Sequence, residues 1–395
     1  MNFADQTLRE LCVPGNGLQT GPFGSQLTAS EYSDVGIPVI MPKDLENGRI
    51  NPNSIARVPE TVANRLPKHR CRVGDIIFAR RGDIGRCGLI TEVEAGWICG
   101  TGCLRARPSS QNDGEFIVLS AIQTPSRNWL IGNAVGQTML NLNTSILGDL
   151  PLKVPTLTDQ RAISRIGRTW ASADDYLNSV LDRKCVRKCS LMQQLLSGER
   201  RLPGFKEEWQ EVRLDEVASN SSLRNKVSVP DNRLYAVTKA KGLIPMREHV
   251  KGVSTDRCQV VKHNWFAYNP MRLNIGSIAR LLEEEPVMVS PDYVVFHCNE
   301  DRLDPDYLDH LRHTERWRHY VNVAGNGSVR VRIYFKDLGA FKFHLPPLED
   351  QRRIADILNA CDREIALHRR QLKAIREQKR GLMQKLLTGE VRMKV

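Results

Sequence analysis

The 395-residue sequence contains no run of 18 or more apolar residues, so nothing in it reads as a membrane span. Its first stretch, "MNFADQTLRELC", lacks a basic segment followed by an apolar core, and a secretory leader is not expected. Both absences point to a cytoplasmic protein. Ten cysteines are present but form no CxxC pair; the nearest neighbours, Cys99 with Cys103 and Cys185 with Cys189, are spaced CxxxC. A structural zinc site calls for two close cysteine pairs or one pair matched by histidines, so reduced structural thiols are expected and no metal. No GxxxxGK[ST] phosphate loop occurs, which argues against ATPase activity. The tetrapeptide "NPMR" at Asn269–Arg272 approaches the Asn-Pro-Pro-aromatic motif with which amino-methyltransferases hold a target amine. It lacks the second proline and the aromatic, and no Gly-rich cofactor turn precedes it. Asp292 and Glu300-Asp301 have no lysine at nuclease spacing. Catalysis by this chain is not expected, and no cofactor is assigned to it.

What is present suits a folded chain of two domains. Apolar residues make up 41% and charged residues 26%, both ordinary for globular proteins, and single cores rarely grow beyond ~250–300 residues. The net charge of +12 suggests a polyanionic partner. Residues 159–200 hold 8 Lys/Arg against 5 Asp/Glu, and residues 349–395 hold 12 against 7, so the excess is spread rather than gathered in a tail.

The chain repeats itself. "LMQQLLSGE" at Leu191–Glu199 returns as "LMQKLLTGE" at Leu382–Glu390, and "PTLTDQRAISRI" from Pro155 returns as "PPLEDQRRIADI" from Pro346. Shifted by 191 positions without a gap, residues 155–199 and 346–390 agree at sixteen of forty-five positions. Leu147-Gly148 and Leu338-Gly339 fall in the same register, and "TLRELC" from Thr7 resembles "VRLDEVA" from Val212. The order is variable block, shared segment, variable block, shared segment.

Each shared segment reads as a long helix. In the second, Ile354, Leu358, Cys361, Ile365, His368, Leu372, Ile375, Lys379, Leu382 and Leu386 follow steps of four and three, a heptad seam. The first carries Ile163, Trp170, Leu177, Leu181, Leu191 and Leu195 on its seam. Acidic residues open each helix (Asp159; Glu349 and Asp350), and Gly198 and Gly389 close them. A helix of ~35–40 residues is ~50–60 Å long and cannot bury such a seam alone. The two copies are therefore expected to pack together with two-fold-like symmetry, one variable block at each end.

The variable blocks read as mixed α and β, with strands expected at "GIPVIM", "DIIFAR", "CGLITEV", "YVVFHC" and "VRVRIYF". In the last, Arg330 and Arg332 would share a face beside the Gly-rich "GNGS". "FARRGDIGRCGL" places Arg80, Arg81 and Arg86 after a strand, and "FAYNPMRLNIGS" places Arg272 and Asn274 at the matching point. Lys43 corresponds in the same way to Lys239 and Lys241. These ten residues are the candidate DNA contacts, since arginine suits guanine and asparagine suits adenine.

"GPFGS" at Gly21–Ser25, the helix openings "PTLTDQR" and "PPLEDQRR", "GDIG" at Gly82–Gly85 and the endings "LLSGERRLPGF" and "LLTGE" together resemble the specificity subunit of type I restriction-modification systems. The resemblance implies an α+β chain with two mixed α/β target recognition domains, residues 1–154 and 201–345. Two long antiparallel, coiled-coil-like helices, residues 155–200 and 346–395, would separate them as a pseudo-two-fold internal repeat. It further implies a bipartite, asymmetric site on double-stranded DNA and docking of two methylation subunits, with nuclease (restriction) subunits as further partners. S-adenosylmethionine, ATP and Mg would belong to those partners. Gly167, Ser172 and Asp174 stand where the other copy has Leu358, Arg363 and Ile365, which suggests a looser middle. A free-standing DNA-binding regulator without enzyme partners is the alternative reading.

Overall fold

The computed structural model describes residues 3–136, 140–204, 207–226, 229–246, 255–324 and 332–391. The chain divides into two compact units, Met1–Leu177 with Gln371–Val395, and Asn178–Arg370. Each unit takes one variable block and a part of both shared segments.

Runs rich in β-branched and aromatic residues between Gly and Pro form the strands. The first unit holds an antiparallel sheet in the order Leu18–Thr20, Cys103–Ala106, Ile76–Ala79, Cys87–Leu89. The second holds the same sheet in the same order, with Ala218–Ser221, Val294–Cys298, Phe266–Tyr268 and Ile278–Arg280. Side chains alternate across each sheet, so each feeds two cores. Ile76, Phe78 and Leu104 enter a large core shared with helices, whereas Ile77, Ala79 and Cys103 enter a smaller one with Ile40 of the strand Ile37–Ile40. In the second unit Phe266, Tyr268 and Phe296 face the helices, and Ala267, Val295 and Ala279 face the other way. Each block is closed by pairing its ends: Ala4–Thr7 with Pro151–Val154, and Gln210–Arg213 with Lys342–Leu345.

The expected strand "VRVRIYF" is not found among the described residues. Residues 329–331, Arg330 among them, lie outside the described residues, Arg332–Tyr334 belong to no strand, and a helix begins at Phe335. The backbone bonds that a strand would use go elsewhere. Ile333 N–H donates to Pro270 O at 3.0 Å, and Tyr334 N–H donates to Asp337 Oδ2 at 3.0 Å, which caps the helix Phe335–Gly339.

Both shared segments are single helices, Leu157–Leu196 and Leu348–Thr388. Gly198 and Gly389 follow them at φ +79°, the left-handed conformation in which glycine ends a helix without strain. The "DQR" opening has a specific task. Buried Gln160 accepts from Asp113 N–H at 2.8 Å and donates to Pro155 O at 3.0 Å; buried Gln351 accepts from Asp304 N–H at 2.8 Å and donates to Pro346 O and Arg302 O, both at 2.8 Å. Asp113 and Asp304 in turn cap the short helices Gly114–Ala121 and Pro305–Leu311 by accepting from Phe116 N–H and Tyr307 N–H. One amide thus fastens each long helix to a short helix of its own block.

The closing phrase has a different task. Met383, Leu386 and Leu387 lie in the core of the first block, with Leu8, Leu147 and Leu152. Met192, Leu195 and Leu196 lie in the core of the second, with Leu214, Leu338 and Phe343. Each helix opens on the block that precedes it and ends in the core of the other.

The heptad seam is visible as burial. Ile354, Leu358, Ile365, Leu372 and Leu386 are buried, Cys361, His368, Ile375, Lys379 and Leu382 half-buried, and the positions beside Ile365 and Leu372 exposed. In the second unit Lys184 pairs with Glu364, and Lys188 with Asp362 at 2.6 Å; residue numbers rise on one helix as they fall on the other, so the pair is antiparallel. In the first unit Arg376 grips Asp174 through two bonds of 2.6 and 3.0 Å.

The looser middle expected around Gly167 and Asp174 is replaced by specific contacts. A Cβ on Gly167 would fall 2.7 Å from Leu119 Cδ1, so the missing side chain admits Leu119 of the short helix. At the matching positions Leu358 is large and fully buried, and His310 replaces Leu119, with its Nε2 2.9 Å from Asn359 Oδ1. Asp174 is held by Arg376.

Replacing Gln351 with Leu is expected to destabilise the chain by ~2–4 kcal/mol, because a buried N–H and two carbonyls lose their partner. Gln160→Leu should act in the same direction. The urea midpoint of the full chain checks this, with exposed Gln378→Leu shifting it by no more than ~0.5 kcal/mol.

Candidate nucleic-acid interface

In each unit the two central-to-edge strands of the four-stranded sheet are joined by a polar loop, 80–86 in the first and 269–276 in the second. These carry five of the candidate residues, and the equivalence of the loops follows from the identical strand order.

In the first loop, Gly82 and Gly85 take φ +78° and +91°, which turns the chain sharply enough to bury Ile84 and leave Arg81 and Arg86 exposed. Arg80 is half-buried and fixed on several sides. Its N–H donates to Gly102 O at 2.8 Å, its carbonyl accepts from Leu142 N–H at 2.9 Å, and its Nε donates to Asn141 Oδ1 at 3.1 Å. The guanidinium carbon lies 5.9 Å from the centre of the Phe23 ring, a cation–π contact with an exposed aromatic. Phe23 belongs to "GPFGS". A Cβ on Gly21 would fall 2.0 Å from Gly100 O, so this glycine allows two backbones to meet and brings Phe23 over Arg80.

Arg86 is engaged within the chain. Its Nε donates to Asp83 Oδ2 at 2.7 Å, and Arg127 donates to Asp83 Oδ1 at 2.5 Å. Burial raises the Asp83 carboxyl, but the two guanidinium groups outweigh it and hold it below the usual carboxylate range. Lys43 is exposed on the turn Pro42–Asp44, with its Nζ donating to Ser54 O at 3.0 Å. Pro42 packs against Gly102, the residue that fixes Arg80, which places Lys43 next to the arginine loop.

In the second loop, Asn269 Oδ1 accepts from Met271 N–H at 2.9 Å, and its carbonyl accepts from Arg272 N–H at 2.9 Å. The "NPMR" asparagine is therefore a turn former. Arg272, Asn274 and Ile275 are exposed. Two clefts flank the loop. One, of about 410 Å³, is lined by Lys239, Asn274, Arg312, His313 and Arg318. The other, of about 570 Å³, is lined by Asn220, Arg224, Asn269, Tyr293, Arg332 and Tyr334. Lys239 and Lys241 are exposed on the turn between Tyr235–Thr238 and Gly242–Pro245. His313, exposed at the first cleft, has its imidazole lowered by desolvation and by the adjacent Arg312 cation.

The structure thus gathers Lys43, Arg80, Arg81 and Arg86 in one unit, and Lys239, Asn274 and the flanking Arg272 and Arg332 in the other; Lys241 shares the turn of Lys239. Sequence reasoning missed Phe23, Arg127 and Asn141 in the first group and Arg224, Tyr293, Arg312 and Arg318 in the second. Only Phe23 carried a signal, as an aromatic held between two glycines. The rest are distant in sequence and reach the loops through the fold. Cys99 and Cys103 are fully buried, and desolvation pushes both thiols well up, so they are packed side chains. Among the described residues no group of three or more His, Cys, Asp or Glu could hold a metal, and no helix is long and apolar enough to cross a membrane.

Comparison with known proteins gives this arrangement a family. The profile of the type I restriction modification DNA specificity domain matches twice, over residues 24–168 and 206–377, one copy for each variable block, the first with the opening turns of the helix that follows it and the second with most of its helix. A specificity subunit, MjaX, assigned to the type I restriction enzymes of Methanocaldococcus jannaschii, is 20% identical over 93% of this chain and 90% of its own length. The MjaVIII specificity subunit of the same organism is 26% identical over a shorter stretch, 31% of this chain and 28% of its own length. The crystal structure of a type I restriction-modification S subunit from M. genitalium has a TM-score of 0.61 at 14% identity, over 100% of this chain and 97% of that one. A chain from a structural study of complex assembly and conformational transition in a type I R-M system has a TM-score of 0.57 at 17% identity, over 99% and 98%. Two copies of the family domain spanning most of its length, on a fold shared from end to end, place this chain in the type I restriction-modification DNA specificity family, as a specificity subunit.

Proposed function

We propose that the two variable blocks each read one half of a bipartite, asymmetric duplex DNA site, that the paired helices set the gap between the halves, and that the chain docks two methylation subunits. The observation that carries this reading is the duplicated sheet with unlike polar loops. One scaffold, built in the same strand order, presents Arg80, Arg81 and Phe23 in one unit and Arg272, Asn274 and Lys239 in the other. Equal scaffolds with unequal side chains suit two related tasks on two different sequences. Exposed arginines and an asparagine at loop tips suit base edges in the major groove, and the remaining cations suit phosphates. In this reading the chain recognises and positions; the methylation subunits bring S-adenosylmethionine, and any nuclease subunit brings ATP-driven cleavage.

Arg272→Ala is expected to lower discrimination at the second half-site by ~1–3 kcal/mol and leave the first unchanged. Competition binding with duplexes altered in one half at a time measures it. A loss equal across all sequences would make Arg272 a phosphate contact. The spacer reading is tested by adding one heptad to each long helix, after Leu177 and after Arg370. Seven residues add ~10 Å of helix, about three base-pair steps, so the preferred gap should lengthen while the half-sites stay the same. Selection from a randomised duplex pool reads both quantities, and an unchanged gap would overturn the spacer.

A further inference from the structure

We infer that a groove present once in each unit is a docking site for the same segment of two identical partner chains. This rests on the proposed pairing with two methylation subunits and names the surface they would use.

The groove in the first unit, of about 600 Å³, lies among Gln384, Leu387 and Thr388 near the end of the second long helix, Gln123–Pro125 at the start of the short helix Thr124–Asn133, and Leu152-Lys153 of the closing strand. The groove in the second unit, of about 370 Å³, lies among Gln193, Leu196 and Ser197, Thr314–Arg316, and Phe343-His344. Shifted by 191, every one of these positions falls on its counterpart. The two grooves are one site built twice.

Packing alone does not account for its lining. Met192 and Leu195, like Met383 and Leu386, recur because they fill cores, but Gln193 and Gln384 are exposed and still identical. Among the described residues neither side-chain amide has a hydrogen-bond partner. Ser197 and Thr388, one turn further on, are exposed too, but their hydroxyls donate to carbonyls of their own helix, Gln194 O and Gln384 O, which leaves the glutamines as the repeat to be explained. An exposed residue repeated beside an apolar floor is what a shared ligand requires. The reading loops, by contrast, differ between the two units.

The chemistry restricts the occupant. The floor is aliphatic or aromatic in both grooves, Leu387 with Leu152 and Leu196 with Phe343. At the rim of the first, Lys153 pairs with Asp5 and leaves Arg380; in the second, Arg318 pairs with Glu315 and leaves Arg316. Among the described residues, each groove keeps one cation beyond its own ion pair. Volumes of 370–600 Å³ hold several side chains and are too small for a duplex. The occupant is a short protein segment with apolar side chains for the floor, an acidic residue for the spare arginine, and a backbone or amide group for the glutamine. Because the site occurs twice, it takes two copies of one chain.

The test uses the full chain with its methylation subunit, counted by native mass spectrometry. Gln193→Arg with Ser197→Arg fills one groove, Gln384→Arg with Thr388→Arg the other; all four positions are exposed, so the fold should hold, and an unchanged melting temperature verifies it. The unaltered chain should carry two partners, either pair variant one, and the fourfold variant none, with at least a tenfold loss of affinity at each altered groove. Glu199→Arg with Glu390→Arg, exposed and outside the grooves, should keep two. If the fourfold variant still carries two partners at unchanged affinity, the groove inference is overturned while the proposed function stands. If the unaltered chain carries none, the proposed function falls and the groove with it.

Discussion

Neither variable block closes its core from its own residues. In the first, Leu8, Leu147 and Leu152 are sealed by Met383, Leu386 and Leu387 from the far end of the chain; in the second, Leu214 and Phe343 are sealed by Met192, Leu195 and Leu196 from the preceding helix. Burying a Leu or Met side chain is worth ~1.5–3 kcal/mol, so three of them are a large part of the stability a domain normally has. The same nine-residue phrase must therefore be written twice, once for each core, and each copy must come from the helix that opens on the other block. Glycines end both plugs at the same φ, and each lies against an aromatic at the start of the block it enters: Phe3 beside Gly389, Trp209 beside Gly198.

This constraint divides the labour within a block. The face of the sheet that meets the helices is large, apolar and repeated, with Phe78 and Leu104 matched by Phe266 and Phe296. The loops between strands carry no such duty. Loop 80–86 is held by Asn141, Gly102 and Asp83, and loop 269–276 by its own Asn269 turn, so each is rigid for a different reason. A fold that takes its stability from one face can vary the side chains at its loop tips at little cost. That separation is what a recognition scaffold needs.

The parts of this design that repeat were legible in the sequence. The two helices, their glycine stops, the seam from Ile354 to Leu386 and the strands around Phe78 and Phe296 all follow from periodicity and self-similarity, which are local properties. The described part of "VRVRIYF", residues 332–335, misled because alternation of Arg with Val and Ile suits a strand only as long as nothing else uses the backbone. Here the Asp337 cap and Pro270 take the bonds of Tyr334 and Ile333, and both partners are set by tertiary structure. Gly167 misled in the same way. A glycine opposite a leucine suggests a void until Leu119, forty-eight positions away, is seen to need the space. Within the site, the loop residues were found because two copies could be compared. Arg127, Arg224 and Arg318 were not, since each reaches the loops from a separate element.

The ion pairs between the helices extend the argument to how the two copies avoid confusion. Lys184 faces Glu364, Lys188 faces Asp362 and Asp174 faces Arg376. At the matching positions of the opposite copy stand Ile375, Ala173, Lys379, Ala171, Ile365 and Cys185, so only Lys188 keeps its charge. A helix of the first kind laid against another of its own kind would set Lys184 against Ala173, Lys188 against Ala171 and Asp174 against Cys185. Partly exposed pairs contribute ~0–1 kcal/mol each, too little to hold the helices together. Their effect is selective: the charges favour the unlike partner. Sequence identity is thus kept where a helix enters a core and where a groove opens, and dropped along the stretch where the two helices must tell each other apart.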